Sequence, residues 1–247
     1  MYLKGIYPIP ADNIPDLSIS NKCVVLDLDQ TLIATQESMS SLHNLNILTN
    51  PNLISLRNRI YHIIIKNSNN KSYEYWGIVR PHINEFLLFC FSYFKVVAVW
   101  SAGERNYVEE IVAHIFKDLP KPHIIYAREN TQISNQSVLK SLDKLFNHNS
   151  IFKKYMNRNN TLAIDDNLTT FANNRGNGVA IPAFEPDLNI ISLSKDDPTL
   201  LQLMYWLLQP YVINSSDVTK LDKSKIFTTT LNNYKKNYIA NPKFTFT

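Results

Sequence analysis

The chain has 247 residues, 45% apolar and 19% charged, with 25 Lys and Arg against 21 Asp and Glu for a formal charge of +4. That length allows one large domain with a modest insertion, able to bury its own core without a metal staple or disulfide framework. Twelve Pro against five Gly exclude collagen-like and Gly-rich disordered chains, and the longest apolar runs, Val96–Trp100 and Leu200–Leu208, fall well short of the roughly 20 residues a membrane span needs.

Residues 1–19, with two acids and no apolar h-region, read as an N-terminal extension and not a signal peptide. Lys22 to Asp27 is apolar on consecutive positions, as a buried parallel strand requires. Residues 37–56 are polar and irregular. Arg59–Lys66 and Lys71–Val79 are β-rich runs around an Asn-rich turn, which predicts a hairpin and, over about 37–79, an insertion. Arg80-Pro81 opens a helix over 82–93, with Pro in the first turn. Phe94–Trp100 is a second buried strand. The spacing of Val108, Ile111, Val112 and Ile115 predicts a helix over 104–116. A short strand follows at 123–127. Val138, Leu139, Leu142, Leu145 and Phe146 predict a helix over 137–146. Strands at 161–165 and 178–182 and a helix at 198–208 complete a domain spanning 20–213. Residues 214–247 read as a Lys-rich tail. Cys23 and Cys90 sit inside apolar runs and read as buried thiols. The alternation of strands and helices implies an α/β fold, a Rossmann-like, mostly parallel open sheet with a small β-hairpin insertion. In such sheets ligands bind at the C-terminal strand ends.

The first strand ends in Asp27-Leu28-Asp29-Gln30-Thr31. In extended geometry Asp27 and Asp29 point the same way and repel unless a cation neutralises them; taken alone, the pair reads equally as a solvated strand end. Ser101 follows the second buried strand, where a hydroxyl and free amides make an anion seat, although an N-cap serine is the simpler reading. Asp165 and Asp166 follow the apolar Leu162-Ala163-Ile164, and such a pair is costly without a cation or donors. Lys140 precedes that strand. The six histidines show no ligand spacing and read as structural.

The order Asp-x-Asp-x-Thr, strand-end Ser, Lys, Asp-Asp resembles the haloacid dehalogenase superfamily. Val24–Leu32, Arg80–Leu87, Val99–Gly103 and Ala163–Asn167 resemble more closely the RNA polymerase II C-terminal-domain phosphatases, also called NLI-interacting-factor-like phosphatases, which include forms from large DNA viruses. The resemblance covers about residues 20–210 and implies a haloacid-dehalogenase-like fold and a Mg²⁺-dependent phosphoserine/phosphothreonine phosphatase. It implies that Asp27 is the nucleophile, forming an aspartyl-phosphate, and that Asp29 is the general acid and then base. By the same resemblance Thr31 would brace the loop, Ser101 and Lys140 would hold phosphate oxygens, and Asp165 and Asp166 would complete a Mg²⁺ site with Asp27 and the main-chain carbonyl of Asp29. Lys144 is the rival to Lys140. Gln30 stands where the family usually has Glu, Ser101 where Thr is more frequent, and Trp100 and Gly103 differ from the small phosphatases.

A phosphorylated protein or peptide is the substrate this resemblance implies. Polynucleotide ends or small phosphoesters form a second reading, and a scaffold of the same fold a third, which the retained acids oppose. Tyr61, Ile63, Tyr73, Tyr75 and Trp76 give the insertion aromatic and aliphatic faces, suited to a peptide pocket or to an ordinary packed hairpin. An Asn167-Leu168-Thr169 sequon at the acidic strand end, where a glycan would be destructive, leads us to expect an intracellular protein, nuclear or cytoplasmic. Between Lys220 and Thr247 lie six Lys and one Asp, so the basicity belongs to the tail, which faces an acidic partner or solvent. We expect no membrane contact and no nucleic acid.

Overall fold

In the computed structural model, residues 18–66, 70–134, 137–147 and 151–228 are described. Cys23 to Leu26 has no polar face, so strand β1 (Cys23–Leu26) is stable only when covered on both sides, and all four side chains are buried. Next come β2 (Ile33–Gln36), α1 (Met39–Asn44), α2 (Ile54–Arg57), β3 (Ile60–Lys66), β4 (Ser72–Val79), α3 (Ile83–Tyr93), β5 (Val96–Trp100) and α4 (Arg105–Ile115). Then follow β6 (Ile124–Tyr126), β7 (Gln132–Ser134), β8 (Ser137–Leu139), α5 (Asp143–Phe146), β9 (Thr161–Asp165), β10 (Gly178–Ala180), α6 (Ile190–Ser194), α7 (Thr199–Leu207) and α8 (Pro210–Ile213).

The main sheet is parallel, in the order β10-β9-β1-β5-β6. The period-2 alternation of its strands divides the core. Val24, Leu26, Val97 and Val99 face α3, α4 and α7 through Phe86, Val108, Ile111 and Leu203. Cys23, Val25, Val96, Ala98 and Trp100 face Leu142, Phe152 and Phe171 on the other side. Both cysteines are buried free thiols, as expected. The insertion forms its own antiparallel sheet, β2-β4-β3, over a small core of Leu42, Ile47, Leu56, Trp76 and Ile78. Among the described residues, no helix is long and apolar enough to cross a membrane.

The structure corrects three readings. Residues 137–146 are not one helix. Ser137–Leu139 pairs with Gln132–Ser134 as an antiparallel ribbon, and α5 is a single turn. The apolar spacing there does fit a helix, but Lys140 is buried, and the backbone has to turn inward to place it. Residues 37–56 are not irregular throughout: α1, a 3-10 turn over Pro51–Leu53 and α2 bury Leu42 and Leu56 in the insertion core. Residues 214–228, read as the start of a tail, lie against the domain, with Val218 and Ile226 buried in the main core. Lys223 Nζ donates there to the carbonyls of Val218 at 2.7 Å and Gly176 at 3.0 Å. Lys22 Nζ ties in the same segment through the carbonyls of Ile213 and Ser215 at 2.8 and 3.1 Å. Residues 229–247, which include Tyr234 and Tyr238, and residues 1–17 of the extension lie outside the described residues.

Candidate active site

Strand pairing alone brings the acids together. Leu26 is in register with Ile164, so Asp27 and Asp165, which follow them, lie side by side at the C-terminal edge of the sheet. Asp27 N–H still donates to Ile164 O at 3.0 Å, holding that residue rigidly to β9. Beyond it the chain reverses: Leu32 N–H returns to Leu28 O at 2.8 Å, and Gln30 adopts a left-handed φ of 59°. Gln30 holds that turn by hydrogen bonding Glu185 through its side chain and by accepting from Phe184 N–H at 2.6 Å. The reversal separates the two aspartates into different environments.

Asp27, Asp165 and Asp166 each offer a carboxylate oxygen, and these lie within 4.8 Å of one another. Lys140 Nζ bridges two of them, at 2.5 Å from Asp27 Oδ1 and 2.7 Å from Asp165 Oδ2. Its backbone N–H is held by Thr170 O at 2.6 Å. Asp165 also accepts from Asn167 N–H at 2.7 Å and from the Thr170 hydroxyl at 3.2 Å. Asp166 is paired with Thr31, whose hydroxyl accepts from Asp166 N–H at 3.1 Å and reaches its carboxylate at 3.3 Å. Burial pushes the Asp27 carboxyl up to about 7, against the pull of Lys140. Burial also raises Asp166. It works in the opposite direction on Lys140, but Asp27 and Asp165 outweigh it and hold the ammonium above its ordinary value. One ammonium among three converging carboxylates leaves an excess of negative charge that an oxygen-seeking divalent cation fits. Lys144 is not an equivalent: its Nζ donates to Asn130 O at 3.0 Å and lies over the Tyr126 ring.

Asp29 points away from that group. Its Oδ1 accepts a short hydrogen bond from Tyr107 and lies 3.3 Å from the Thr35 hydroxyl. Its Oδ2 is 3.4 Å from Ser101 Oγ. Burial raises its carboxyl above the ordinary range in spite of these donors. Asp29 borders a cleft of about 540 Å³ lined by Ile65, Tyr73 and Tyr75 of the hairpin and by Glu37, Glu104 and Arg128. The insertion therefore serves two purposes. Tyr61 and Ile63 are buried in the main core and Trp76 in the insertion core, while Tyr73 and Tyr75 face the cleft. At Ser101 the backbone amides are engaged, its own N–H with Tyr126 O at 3.1 Å and Gly103 N–H with the Ser101 hydroxyl at 3.0 Å, which leaves the hydroxyl hydrogen as its donor toward the site.

Thr35, Tyr107 and Thr170 were not legible as site residues, since no local pattern links positions 29, 35 and 107. Arg80 was legible within the Arg-Pro-His motif but without a role. It is fully buried and donates to Thr31 O at 2.9 Å, Pro182 O at 2.8 Å and Asp197 Oδ2 at 2.8 Å, fixing the loop that carries Thr31. Burial pushes Asp197 up, but hydrogen bonds from Thr199 and the Arg80 charge overcome this and hold it below the usual carboxylate range. A depressed value stabilises the fold above the ordinary carboxylate pKa of about 4, and the gain disappears as pH falls through the lowered native value. Asp197→Asn is therefore expected to cost about 1–3 kcal/mol at neutral pH. That difference from wild type closes on acidification, as denaturant melts across pH will show.

The model of the NLI interacting factor-like phosphatase family matches residues 22–219, which includes every strand end described above. The chain belongs to this family. No curated protein matches the chain. Among solved structures, it is similar to a beryllium-fluoride-bound variant of the fission yeast RNA polymerase II CTD phosphatase Fcp1, with TM-score 0.53 and 18% identity over 66% of this chain and 42% of that one. It is also similar to a structure of Fcp1, an essential RNA polymerase II CTD phosphatase, with TM-score 0.56 and 15% identity over 96% of this chain and 68% of that one. The chain thus spans less than half of the first of these structures, and at these identities the likeness shows the fold. As an NLI interacting factor-like phosphatase, the chain carries the parallel sheet and the small antiparallel insertion that its sequence implied.

Proposed function

We propose that the chain is a Mg²⁺-dependent phosphoserine/phosphothreonine protein phosphatase that works through an aspartyl-phosphate on Asp27. The observation that carries this reading is the separation of the two aspartates: Asp27 sits with Lys140 and the acid group, and Asp29 sits on the cleft among hydroxyl donors. In the first step an Asp27 carboxylate oxygen attacks phosphorus, the P–O bond to the serine or threonine oxygen breaks, and Asp29 gives its proton to that oxygen. In the second step Asp29 takes a proton from water, whose oxygen attacks phosphorus and releases inorganic phosphate, restoring Asp27. Lys140 and the Ser101 hydroxyl bind the transferring oxygens and offset their charge. A divalent cation held by Asp27, Asp165 and Asp166 supplies further neutralisation of the phosphate; a hard, all-oxygen donor set suits Mg²⁺.

The cleft supports a peptide substrate. It is flanked by Tyr73 and Tyr75, and its two acids Glu37 and Glu104 outnumber its one cation Arg128, which disfavours a polyanionic nucleic acid. We expect purified protein to hydrolyse p-nitrophenyl phosphate with Mg²⁺ and to stop on chelation. We further expect it to prefer a phosphorylated Tyr-Ser-Pro repeat peptide over a 3′-phosphorylated oligonucleotide. Mg²⁺-independent turnover or the reverse preference would overturn the corresponding part of this reading.

A further inference from the structure

Three hydroxyls behind Asp29 form a chain whose direction can be assigned by counting hydrogens. Tyr107 donates its single hydroxyl hydrogen to Asp29 Oδ1. The single Thr35 hydrogen is then shared between the Tyr107 oxygen at 2.6 Å and Asp29 Oδ1 at 3.3 Å. Thr35 has no second hydrogen, so its bond of 2.5 Å to Tyr61 is donated by Tyr61. A chain donated in one direction polarises successive bonds toward its terminal acceptor.

The fold makes room for this arrangement. The Tyr61 ring crosses the backbone of β4 at Gly77, where an added Cβ would collide with the ring, its hydroxyl and Ala34 O. Thr35 pairs with Gly77 across β2 and β4, and Tyr61 pairs with Gly77 across β3 and β4. One glycine in the insertion thus lets the hairpin reach the active site from behind.

We propose that Tyr61, Thr35 and Tyr107 are positioning residues for Asp29: they occupy Oδ1 as an acceptor and leave Oδ2 as the oxygen that exchanges the proton with the leaving group. This rests on the reading of Asp29 as the general acid. Thr35 and Tyr107 also line the cleft beside Asp29, and in the first step their effect through Asp29 is confined to leaving groups that need a proton.

Leaving-group dependence tests this with the full chain and Mg²⁺. Dinitrophenyl phosphate departs without a proton, whereas phenyl phosphate needs one. Tyr107→Phe and Thr35→Val are expected to lower the single-turnover rate of phenol release from phenyl phosphate by about tenfold or more, part of the 10²–10⁴-fold associated with general acid catalysis. Both should stay within about twofold of wild type in single-turnover release of dinitrophenol, and Thr35→Ser should restore phenol release. Asp29→Asn should show the same selectivity more strongly. If Asp29→Asn is selective while Tyr107→Phe and Thr35→Val lower both substrates equally or neither, the positioning proposal is overturned and the general acid stands. If Asp29→Asn itself is equally impaired on both, the general-acid reading falls and the proposal falls with it.

Discussion

Asp27→Asn is expected to reduce phosphomonoester turnover by at least about 10⁴-fold and to leave the fold intact. Losses of this order follow removal of a nucleophile from a set of groups that act as a unit. An amide in place of the carboxylate keeps the shape of the side chain and its backbone bond to Ile164, and it cannot attack phosphorus. Folding should survive because burial already disfavours the Asp27 charge, and because Lys140 retains Asp165 as a partner at 2.7 Å. The measurement pairs steady-state rates with a denaturant melt. Equal residual turnover of Asp27→Asn and wild type would remove the catalytic reading and raise that of a scaffold of the same fold.

Lys140→Ala carries the second large effect, and it concerns stability as much as rate. The ammonium is buried and holds together two buried carboxylates. Removing one partner from such a group leaves uncompensated charge and costs about 3–5 kcal/mol. That is a large fraction of the 5–15 kcal/mol that holds a typical domain folded. The loss should be greatest in chelator. It should shrink as Mg²⁺ is added, because an ion that binds the native acid group and not the unfolded chain stabilises by mass action. Lys144→Ala is the control: its contacts are a carbonyl and a ring face, and neither rate nor the Mg²⁺ response should change appreciably. Lys140→Ala and Lys144→Ala melting alike would contradict the assignment of the buried lysine.

The strand ends were legible because their chemistry is local. Consecutive apolar residues mark β1, β5 and β9 as central parallel strands, and in such sheets the residue after each strand faces the ligand side. Asp27 and Ser101 follow their strands and Asp165 ends β9, and pairing in register sets Asp27 beside Asp165. The surroundings of Asp29 could not be read this way. Tyr61, Thr35 and Tyr107 come from β3, β2 and α4, and the contact depends on how the insertion folds back, which no spacing encodes. Lys140 was found, but on the wrong element. The spacing of Leu142, Leu145 and Phe146 fits a helix, and the strand at Ser137–Leu139 wins because it delivers a buried ammonium to two carboxylates. The Lys-rich stretch after residue 213 misled for a similar reason: Lys223 looks solvated in composition, yet it bonds main-chain carbonyls beside the buried Val218.

The central claim is that phosphate passes through Asp27, and trapping the intermediate tests it most directly. An acyl phosphate on a carboxylate is reduced by borohydride to the corresponding alcohol, so an aspartyl-phosphate is read out by mass spectrometry as homoserine at its position. With wild-type protein quenched during turnover of a phosphopeptide in Mg²⁺, the account predicts homoserine at residue 27, none at residue 29, and none anywhere in Asp27→Asn. Turnover with no reduced residue, or reduction at Asp29 or Asp165 instead, would contradict it.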